Sequence, residues 1–412
     1  MKRKSTGSTR REFLGTAAAA VAAPYIVNST ALGLEDRPAA SERIVMAGIG
    51  MGGRGRGDLG GFLGFKEIQV VAVCDVKTDT REGAKKQVDG RYGNEDCAEY
   101  VDFREVIDRD DIDTILCGTP DHWHALVSVM AMKKGKDVFC EKPLSLTIVE
   151  GRAMVDAAQR YGRVFSCGSQ RVLGDYGKTA RKVQAGELGQ IHRCYATPGG
   201  PPRHCNLPGE PMDENIDWDL WLGPAPWAPY NAFRCGRSYG LGGKGFRTWY
   251  DYSGGMMTDW GGHKFGGVMF AMGLDETGPT EIVPPDGKDV KYLTYKFECG
   301  VELLVGGGGP KYEAAEGNVP GLTWEPPTKL LDRGYKGPAN NLPGDFLHCV
   351  KTREKPFRDV TYAHRVATVC HLGNIAYELQ RPLRWDPVAE EFPGDDEANR
   401  MTWRPMRGPW RL

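Results

Sequence analysis

A glycine-rich segment and a later aspartate are the first residues in this sequence whose types and spacing suit chemistry. The segment is Gly48-Ile49-Gly50-Met51-Gly52-Gly53, and it fits the pattern G-x-G-x-x-G through Gly48, Gly50 and Gly53. Glycines let backbone amides at a helix start come close to a phosphate group. Asp75 follows about 20 residues later, where a carboxylate accepts hydrogen bonds from ribose hydroxyls. The spacing predicts a dinucleotide site, with a glycine-rich loop of no function as the alternative.

Asp75 also bears on which dinucleotide binds. A carboxylate at this position disfavours a 2′-phosphate, so NAD is expected in preference to NADP. Lys77 stands close by and offers a cation that would accommodate the phosphate. NADP is therefore the second choice.

The elements that must position these residues alternate along the first part of the chain. Apolar runs predict buried strands at residues 43–47, 68–73, 114–117, 137–140 and 164–167. Three helices are predicted between these strands. The first follows a cap at Asp102 and ends at Ile107, the second covers residues 121–134, and the third follows a capping box of Thr147 and Glu150 and ends at Tyr161. Repeated strand–helix units of this length imply a doubly wound parallel sheet, and ligands of such sheets bind beyond the carboxyl ends of the strands.

Two further motifs follow predicted strands, namely Thr119-Pro120 with His124, and Glu141-Lys142-Pro143. Later segments add Gly168-Ser169-Gln170, the tryptophan-rich residues 218–224 and the glycine-rich residues 254–259. Together with the first glycine segment, these motifs resemble the Gfo/Idh/MocA family of sugar and inositol oxidoreductases. The resemblance covers nearly the whole chain past residue 42.

The resemblance implies an α/β protein of two domains. Residues 42–168 are expected to form an NAD(P)-binding Rossmann domain. Residues 169–412 are expected to form an α+β substrate domain with an open, mostly antiparallel sheet, through which the protein would form homo-oligomers. The residues expected to bind the cofactor are Gly48, Ile49, Gly50, Met51, Gly52, Gly53, Asp75, Thr119, Pro120, His124, Glu141, Lys142 and Gln170.

The resemblance also implies which residues take part in catalysis. Lys142 is expected near the nicotinamide and the substrate hydroxyl, and Asp259 with His263 matches the family's D-x-x-x-H pattern. A spacing of four residues puts both side chains on one face of a helix. The alcohol would lose hydride to the nicotinamide while His263 takes the hydroxyl proton, because imidazole titrates near neutrality. The alternative for His263 is a packed structural histidine.

Other candidates have weaker signals. Trp221, Trp249 and Tyr252 are hypothesised to stack on a sugar ring, although aromatic residues serve equally as core. No metal is predicted, because the remaining histidines lack helical pairing with a carboxylate. These histidines are His122, His204, His348, His364 and His371. A helix is predicted over residues 362–379, and residues 236–245 and 306–321 are predicted as loops that shape the pocket.

The amino terminus resembles a twin-arginine export signal. Arg10-Arg11-Glu12-Phe13-Leu14 precedes a small apolar run that ends at Val27, so residues 1–31 are expected to direct export to the periplasm. A disordered basic tail is the alternative. The run is too short for a transmembrane helix. The 11 cysteines lack the spacing of a zinc site or disulfide framework, and we expect buried thiols.

Overall charge excludes one class of partner. The 53 lysines and arginines nearly cancel the 54 acidic residues, leaving a net charge of −1. No basic excess exists for neutralising a nucleic-acid backbone. A small carbohydrate is the expected partner.

Three functions follow from these observations. The first is an oxidoreductase that acts on a hydroxyl of a sugar, inositol or glycoside and holds NAD tightly, because free NAD is scarce outside the cytoplasm. The second is a redox-neutral NAD-dependent glycosidase, which oxidises a ring hydroxyl, eliminates the aglycone, adds water and reduces the product. The third is a dinucleotide-binding sensor without turnover.

Overall fold

The computed structural model describes residues 38–236, 245–308 and 310–412. The predicted export signal lies outside these residues, as does most of the predicted loop at 236–245. The described end of the first compact unit carries one turn of 3₁₀ helix at Ala40–Glu42. All other described elements belong to a second unit, Ile44–Leu412. Within the described ranges, no helix has both the length and the apolar character needed to cross a bilayer.

The first sheet has six parallel strands in the order β3-β2-β1-β4-β5-β6. Its strands are β1 (Ile44–Ile49), β2 (Ile68–Cys74), β3 (Ala98–Tyr100), β4 (Thr114–Cys117), β5 (Asp137–Cys140) and β6 (Phe165–Cys167). This order is that of a Rossmann fold, which confirms the predicted doubly wound sheet. The sequence did not predict β3, because this three-residue edge strand is partly exposed and has no apolar run.

The described residues form five helices between the strands of this sheet, of which the last three were predicted. They are α1 (Gly53–Phe62), α2 (Thr78–Tyr92), α3 (Phe103–Ile107), α4 (Asp121–Lys133) and α5 (Ile148–Tyr161). The Asp102 side chain caps α3 by accepting from Arg104 N, and Thr147 caps α5 by accepting from Glu150 N. The Glu150 carboxylate accepts from Leu146 N, one residue before the cap, so the predicted capping box reaches slightly further back.

The second sheet is mixed, in the order β11-β7-β10-β9-β8-β12. Its strands are β7 (Ile191–Ala196), β8 (Glu281–Val283), β9 (Thr294–Lys296), β10 (Glu302–Val305), β11 (Lys311–Ala314) and β12 (Leu383–Arg384). Only β7 and β10 pair in parallel, and the other neighbours are antiparallel. The prediction of a loop throughout residues 306–321 was wrong, because β11 forms there by pairing with β7. Its polar sequence gave no strand signal.

The remaining helices surround or connect this sheet. They are α6 (Gly177–Gln184), α7 (Trp218–Leu222), α8 (Ala232–Cys235), α9 (Gly255–Asp259), α10 (Gly261–Met272), α11 (Leu342–Thr352), α12 (Val360–Leu379) and α13 (Asp396–Arg400). Helices α10 and α12 are buried along most of their length and share one core with the strands. Helix α12 begins two residues before its predicted start. Of the 11 cysteines, all free, only Cys205 and Cys299 are partly exposed.

Helix α11 belongs to the core of the first sheet although it follows the second sheet's central strands. Phe346 packs edge-on against Phe62 of α1 and Phe139 of β5, with ring centroids 6.1 and 5.7 Å apart. Leu342, Leu347 and Cys349 belong to the same buried cluster. The core of the first sheet therefore extends beyond the predicted boundary at residue 168.

Truncating Phe346 to alanine tests this packing. The ring is fully buried, so we expect the free energy of unfolding to fall by about 3–5 kcal/mol through lost contacts and a cavity. Denaturant unfolding, followed by dinucleotide fluorescence and by circular dichroism, measures the loss. Val388→Ala is the control, since this side chain is 88% exposed and should shift stability by less than about 0.5 kcal/mol. Equal stability of the two variants would contradict the packing.

Candidate active site

The turn after β1 uses a later set of glycines than the sequence predicted. Gly48 lies within β1 and pairs with Val73 and Leu116, so it does not form the turn. Gly50 has φ +78°, and a β-carbon there would lie 2.4 Å from Thr119 N. A β-carbon on Gly55, in the first turn of α1, would lie 2.2 Å from Gly50 O. The motif is thus Gly50-x-Gly52-x-x-Gly55, two residues beyond the predicted register.

Both registers satisfy the same spacing, which explains the error. The segment from Gly48 to Gly55 contains two overlapping copies of G-x-G-x-x-G. Only the end of β1 at Ile49 decides between them, because the first glycine must leave the strand. The signal for Gly55 was therefore present in the sequence.

A cavity of about 330 Å³ opens beside this turn, at the carboxyl ends of β1, β2 and β4. The predicted cofactor residues that line it are Ile49, Gly50, Gly52, Gly53, Asp75, Thr119 and Pro120. A β-carbon on Gly52 or Gly53 would meet no atom within 4 Å, so the backbone there faces open space. Later residues complete the wall, among them Trp221, Phe246 and Arg247.

Asp75 lies where β2 ends and holds the glycine turn in place. Its Oδ2 accepts from Met51 N at 2.7 Å, and its Oδ1 accepts from Lys77 N at 2.8 Å. Burial raises the pKa of Asp75 to about 6, although these two backbone hydrogen bonds act in the opposite direction. A carboxylate has about four acceptor positions, so two are left for hydroxyl donors in the cavity.

The other predicted cofactor residues do not line this cavity, namely Gly48, Met51, His124, Glu141, Lys142 and Gln170. The ring nitrogens of His124 lie 2.7 Å from Pro143 O and 2.9 Å from Thr119 O, so His124 joins the loops after β4 and β5. Met51 is fully buried. Neither side chain lines the cavity wall, which corrects the expectation of direct contact.

Glu141 pairs with a residue that the sequence reasoning missed. Arg54, in the first turn of α1, donates from Nε to Glu141 at 3.0 Å and from Nη2 to Asp58 at 2.5 Å. With its amide oxygen facing Arg54, Gln170 accepts from the same Nη2 at 3.1 Å. Burial and the nearby Glu141 raise the pKa of Asp58 to about 9. This network joins the glycine helix to the loop that carries Lys142.

Lys142 and Asp259, distant in sequence, form a buried ion pair. Lys142 Nζ lies 2.7 Å from Asp259 Oδ1 and donates also to the Asp259 carbonyl at 3.1 Å. Arg247 Nε donates to the same carboxylate oxygen at 2.9 Å. Burial would raise the pKa of Asp259, but the charges of Lys142 and Arg247 outweigh it and hold that pKa below its usual value. The amine of the predicted catalytic lysine therefore lies beside an ionised carboxylate.

His263 lies at the same place, on the first turn of α10. A β-carbon on neighbouring Gly262 would lie 3.5 Å from Lys142 Cβ, which places this turn against the Lys142 side chain. His263 is 4% exposed, and its Nδ1 is buried without a hydrogen-bond partner in the described part of the chain. Burial, and then the charges of Lys142 and Arg171, lower the pKa of His263 to about 3. The imidazole is therefore neutral at ordinary pH.

Asp259 and His263 do not share one regular helix as predicted. Asp259 ends α9 and His263 lies in α10, with Trp260 between the two helices. Several glycines surround this break, and glycine weakens a continuous helix. Asp259 is bound to Lys142 and Arg247, so it orients the lysine.

The three aromatic candidates fall into one buried cluster. Tyr252 is fully buried and packs edge-on against Trp221, with ring centroids 4.8 Å apart. Neither Tyr252 nor Trp249 lines the cavity, so the structure gives both a packing role. Trp221 alone of the three reaches the cavity wall.

Three of the other candidate histidines are bound by protein groups. His122 and His371 contact backbone carbonyls, and His364 lies 3.0 Å from the Glu390 carboxylate. In the described ranges, no group of three or more histidine, cysteine or acidic side chains is arranged to hold a metal ion.

Comparison with known families gives two matches. Residues 43–169 match the oxidoreductase family's NAD-binding Rossmann fold, and residues 203–412 match the same family's C-terminal alpha/beta domain. The chain belongs to the Gfo/Idh/MocA oxidoreductase family. This membership confirms the resemblance seen in the sequence and the NAD-binding nature of the first sheet.

Individual members of the family are more distant. A glycosyl hydrolase family 109 protein of Shewanella pealeana is 30% identical over 169 residues, which are 37% of this chain and 37% of that protein. An alpha-N-acetylgalactosaminidase of Shewanella oneidensis is 28% identical over 173 residues, again 37% of each chain. The match thus spans just over a third of these relatives.

Solved structures share the fold over most of the chain. The myo-inositol 2-dehydrogenase of Lactobacillus plantarum superposes with a TM-score of 0.55. The superposition covers 83% of this chain and 99% of that one, at 18% identity. At this identity the likeness establishes the common fold.

Alanine at Gly55 tests the corrected glycine register. The added methyl group would collide with Gly50 O, so we expect a loss of about 1–3 kcal/mol in stability and weaker dinucleotide binding. Gly57→Ala is the matched control on the same helix, where nothing lies within 4 Å and alanine should stabilise by about 0.4–1 kcal/mol. Thermal unfolding and fluorescence titration with NADH measure both effects. Similar behaviour of the two variants would contradict the register.

The raised pKa of Asp75 predicts a pH-dependent affinity. Ribose hydroxyls donate to the ionised carboxylate, so protonation of Asp75 competes with binding as the pH falls through about 6. We expect NADH affinity to be about tenfold weaker at pH 5 than at pH 8. Titrations across this range should show the decline, and Asp75→Asn should remove most of it. An unchanged pH dependence in that variant would assign the decline to another group.

Proposed function

We propose that this member of the Gfo/Idh/MocA family oxidises a hydroxyl of a sugar, inositol or glycoside, with Lys142 and His263 as its catalytic residues. The observation that carries this proposal is the convergence of Lys142, Asp259 and His263, with Asp259 bound to Arg247 in the wall of the cavity beside the dinucleotide turn. A sensor that only binds would have no use for a neutral buried imidazole next to a lysine. The proposal therefore favours catalysis over the sensor alternative.

The described residues fit a nicotinamide dinucleotide. Open backbone at Gly52 and Gly53 and the free acceptor positions of Asp75 suit a pyrophosphate and a ribose. The carboxylate also favours NAD over NADP. When bound, the dinucleotide supplies the hydride acceptor for alcohol oxidation.

Lys142 is suited to stabilise negative charge on the reacting oxygen. Its side chain is 13% exposed and its amine pairs with Asp259, which leaves donor capacity for a substrate hydroxyl. A positioned cation in a water-poor site favours the alkoxide form of that hydroxyl. Arg247 shares the carboxylate and thereby fixes its orientation. Asp259 is thus a positioning residue in this scheme.

His263 is suited to receive the hydroxyl proton. Its imidazole is neutral because Lys142, Arg171 and burial oppose protonation. An acceptor with such a low pKa works only if the hydroxyl is acidified at the same time, which is the role given to Lys142. The two residues therefore act as a pair.

The protein is also proposed to be exported and to assemble with copies of itself. The twin-arginine segment would carry the folded protein, with its reduced thiols, to the periplasm. A protein there must keep its NAD, because free dinucleotide is scarce. Homo-oligomers would form through the second sheet.

A redox-neutral glycosidase is the second candidate. The names of two relatives, a glycosyl hydrolase family 109 protein and an alpha-N-acetylgalactosaminidase, favour it. The two functions share the oxidation step, so Lys142 and His263 would serve both. They differ in the redox state of the dinucleotide at the end of a reaction cycle. An oxidoreductase leaves it reduced, whereas a redox-neutral glycosidase returns it to the oxidised state.

Replacing His263 tests the proposed base. We expect His263→Ala to lower kcat by about 10²–10⁴-fold, the usual contribution of a general base, while NADH binding stays unchanged. His348→Asn is the control, since His348 lies on α11 away from the site. Steady-state rates and fluorescence titration separate the two effects. Full activity of His263→Ala would remove the base assignment.

The dinucleotide's final state decides between the two functions. Purified protein is denatured, and the released dinucleotide is identified by its absorbance. Net NADH formation with a free sugar supports the oxidoreductase. Release of aglycone from a chromogenic glycoside without net NADH formation supports the glycosidase. Absence of both reactions would leave the sensor.

A further inference from the structure

We propose that the substrate is an anionic sugar, a sugar acid whose negative charge lies among Lys142, Arg171 and Lys264. This inference rests on the proposed function, because it concerns the substrate of that same site. It starts from the excess of positive charge around the turn that joins α9 to α10. A carboxylate on the sugar would pair with these cations, and a neutral sugar would not.

Cations surround Trp260 and His263. The Arg171 guanidinium lies 5.2 Å from the centre of the Trp260 ring, and Lys264 Nζ lies 5.4 Å from it. The Trp260 and His263 rings are themselves 6.1 Å apart. Lys142 adjoins the same turn, as described above. Two cationic side chains, Arg171 and Lys264, thus face one aromatic ring, and Lys142 adjoins the turn that carries it.

Carboxylates near this platform do not balance these charges. Asp259 is shared between Lys142 and Arg247, and Glu141 is bound to Arg54. Burial keeps Asp58 protonated at neutral pH, with a pKa of about 9.

Arg171 and Lys264 lack a buried counter-charge. In the described ranges, Arg171 pairs only with Asp175, which lies one helical turn further along the chain. The Asp175 side chain is 56% exposed, so this is a weak surface ion pair. Lys264 has no carboxylate within 4.0 Å among the described residues, and it donates instead to Thr197 O. Asp121 is buried within electrostatic reach of Arg247, on the side of α4, and burial raises its pKa.

The pKa of His263 is lowered in part by the same positive charges. Burial and three cations, Lys142, Arg171 and Arg54, lower its pKa, and Asp259 alone among the nearby carboxylates opposes them. Its buried Nδ1 has no protein partner in the described part of the chain. An anion bound near Arg171 would offset the cations and make the imidazole a better proton acceptor. A charged substrate would therefore activate its own base.

Matched sugars that differ by one carboxylate test the inference. Isothermal titration of the NAD-loaded protein compares D-glucuronate with D-glucose and D-galacturonate with D-galactose. We expect at least one acid to bind about tenfold or more tightly than its neutral partner, because a charge-assisted contact to arginine is worth that much. Added NaCl should reduce the preference. Equal binding within both pairs, or tighter binding of the neutral sugars, would overturn the inference.

A matched pair of variants locates the charge. Arg171→Gln should abolish most of the preference for the acid, whereas Arg160→Gln, on the exposed side of α5, should preserve it. A preference that survives Arg171→Gln overturns the assigned position. Turnover separates the two proposals: oxidation of neutral sugars as readily as acids sinks this inference and keeps the proposed function. Tight binding of an acid without any turnover sinks the proposed function instead.

Discussion

The buried ion pair between Lys142 and Asp259 is the constraint on which the site depends. It joins the loop after β5, at the edge of the first sheet, to the end of α9, which belongs to the second part of the chain. Each charge alone would be costly in this environment, because a buried ion without its partner loses its hydration. Arg247 adds a second donor to the same carboxylate. The pair therefore fixes Lys142 relative to the dinucleotide turn and to His263 together.

Several contacts outside the ion pair support the position of the loop after β5. His124 joins the loops after β4 and β5, and Arg54 links α1 to Glu141, the residue before Lys142. Helix α11 packs Phe346 against α1 and β5, so the segment that follows the second sheet's central strands stabilises the first sheet. The loop that carries Lys142 is thus contacted by His124 of α4 and by Arg54 of α1.

The electrostatics of the site set the charge states of Asp259 and His263. His263 stays neutral because burial and neighbouring cations oppose its protonation, and Lys142 lies against the ionised carboxylate of Asp259. This combination suits an oxygen that develops negative charge as its proton leaves.

The sequence alone determined the features that short-range patterns encode. Apolar runs located five of the six strands of the first sheet, capping residues located helix starts, and motif spacing identified the family, Asp75, Lys142 and His263. These succeed because periodicity and capping act over a few residues. The sequence could also have shown Gly55, but two overlapping glycine patterns needed the end of β1 to choose between them.

Only the tertiary structure decided what depends on distant contacts. It paired Asp259 with Lys142 and Arg247, buried Tyr252 away from the cavity, made a strand of the polar residues in β11 and brought α11 to the first sheet. It also gathered Arg171 and Lys264 around Trp260. No local pattern encodes these results, because each depends on which surfaces meet when segments far apart in the chain pack together.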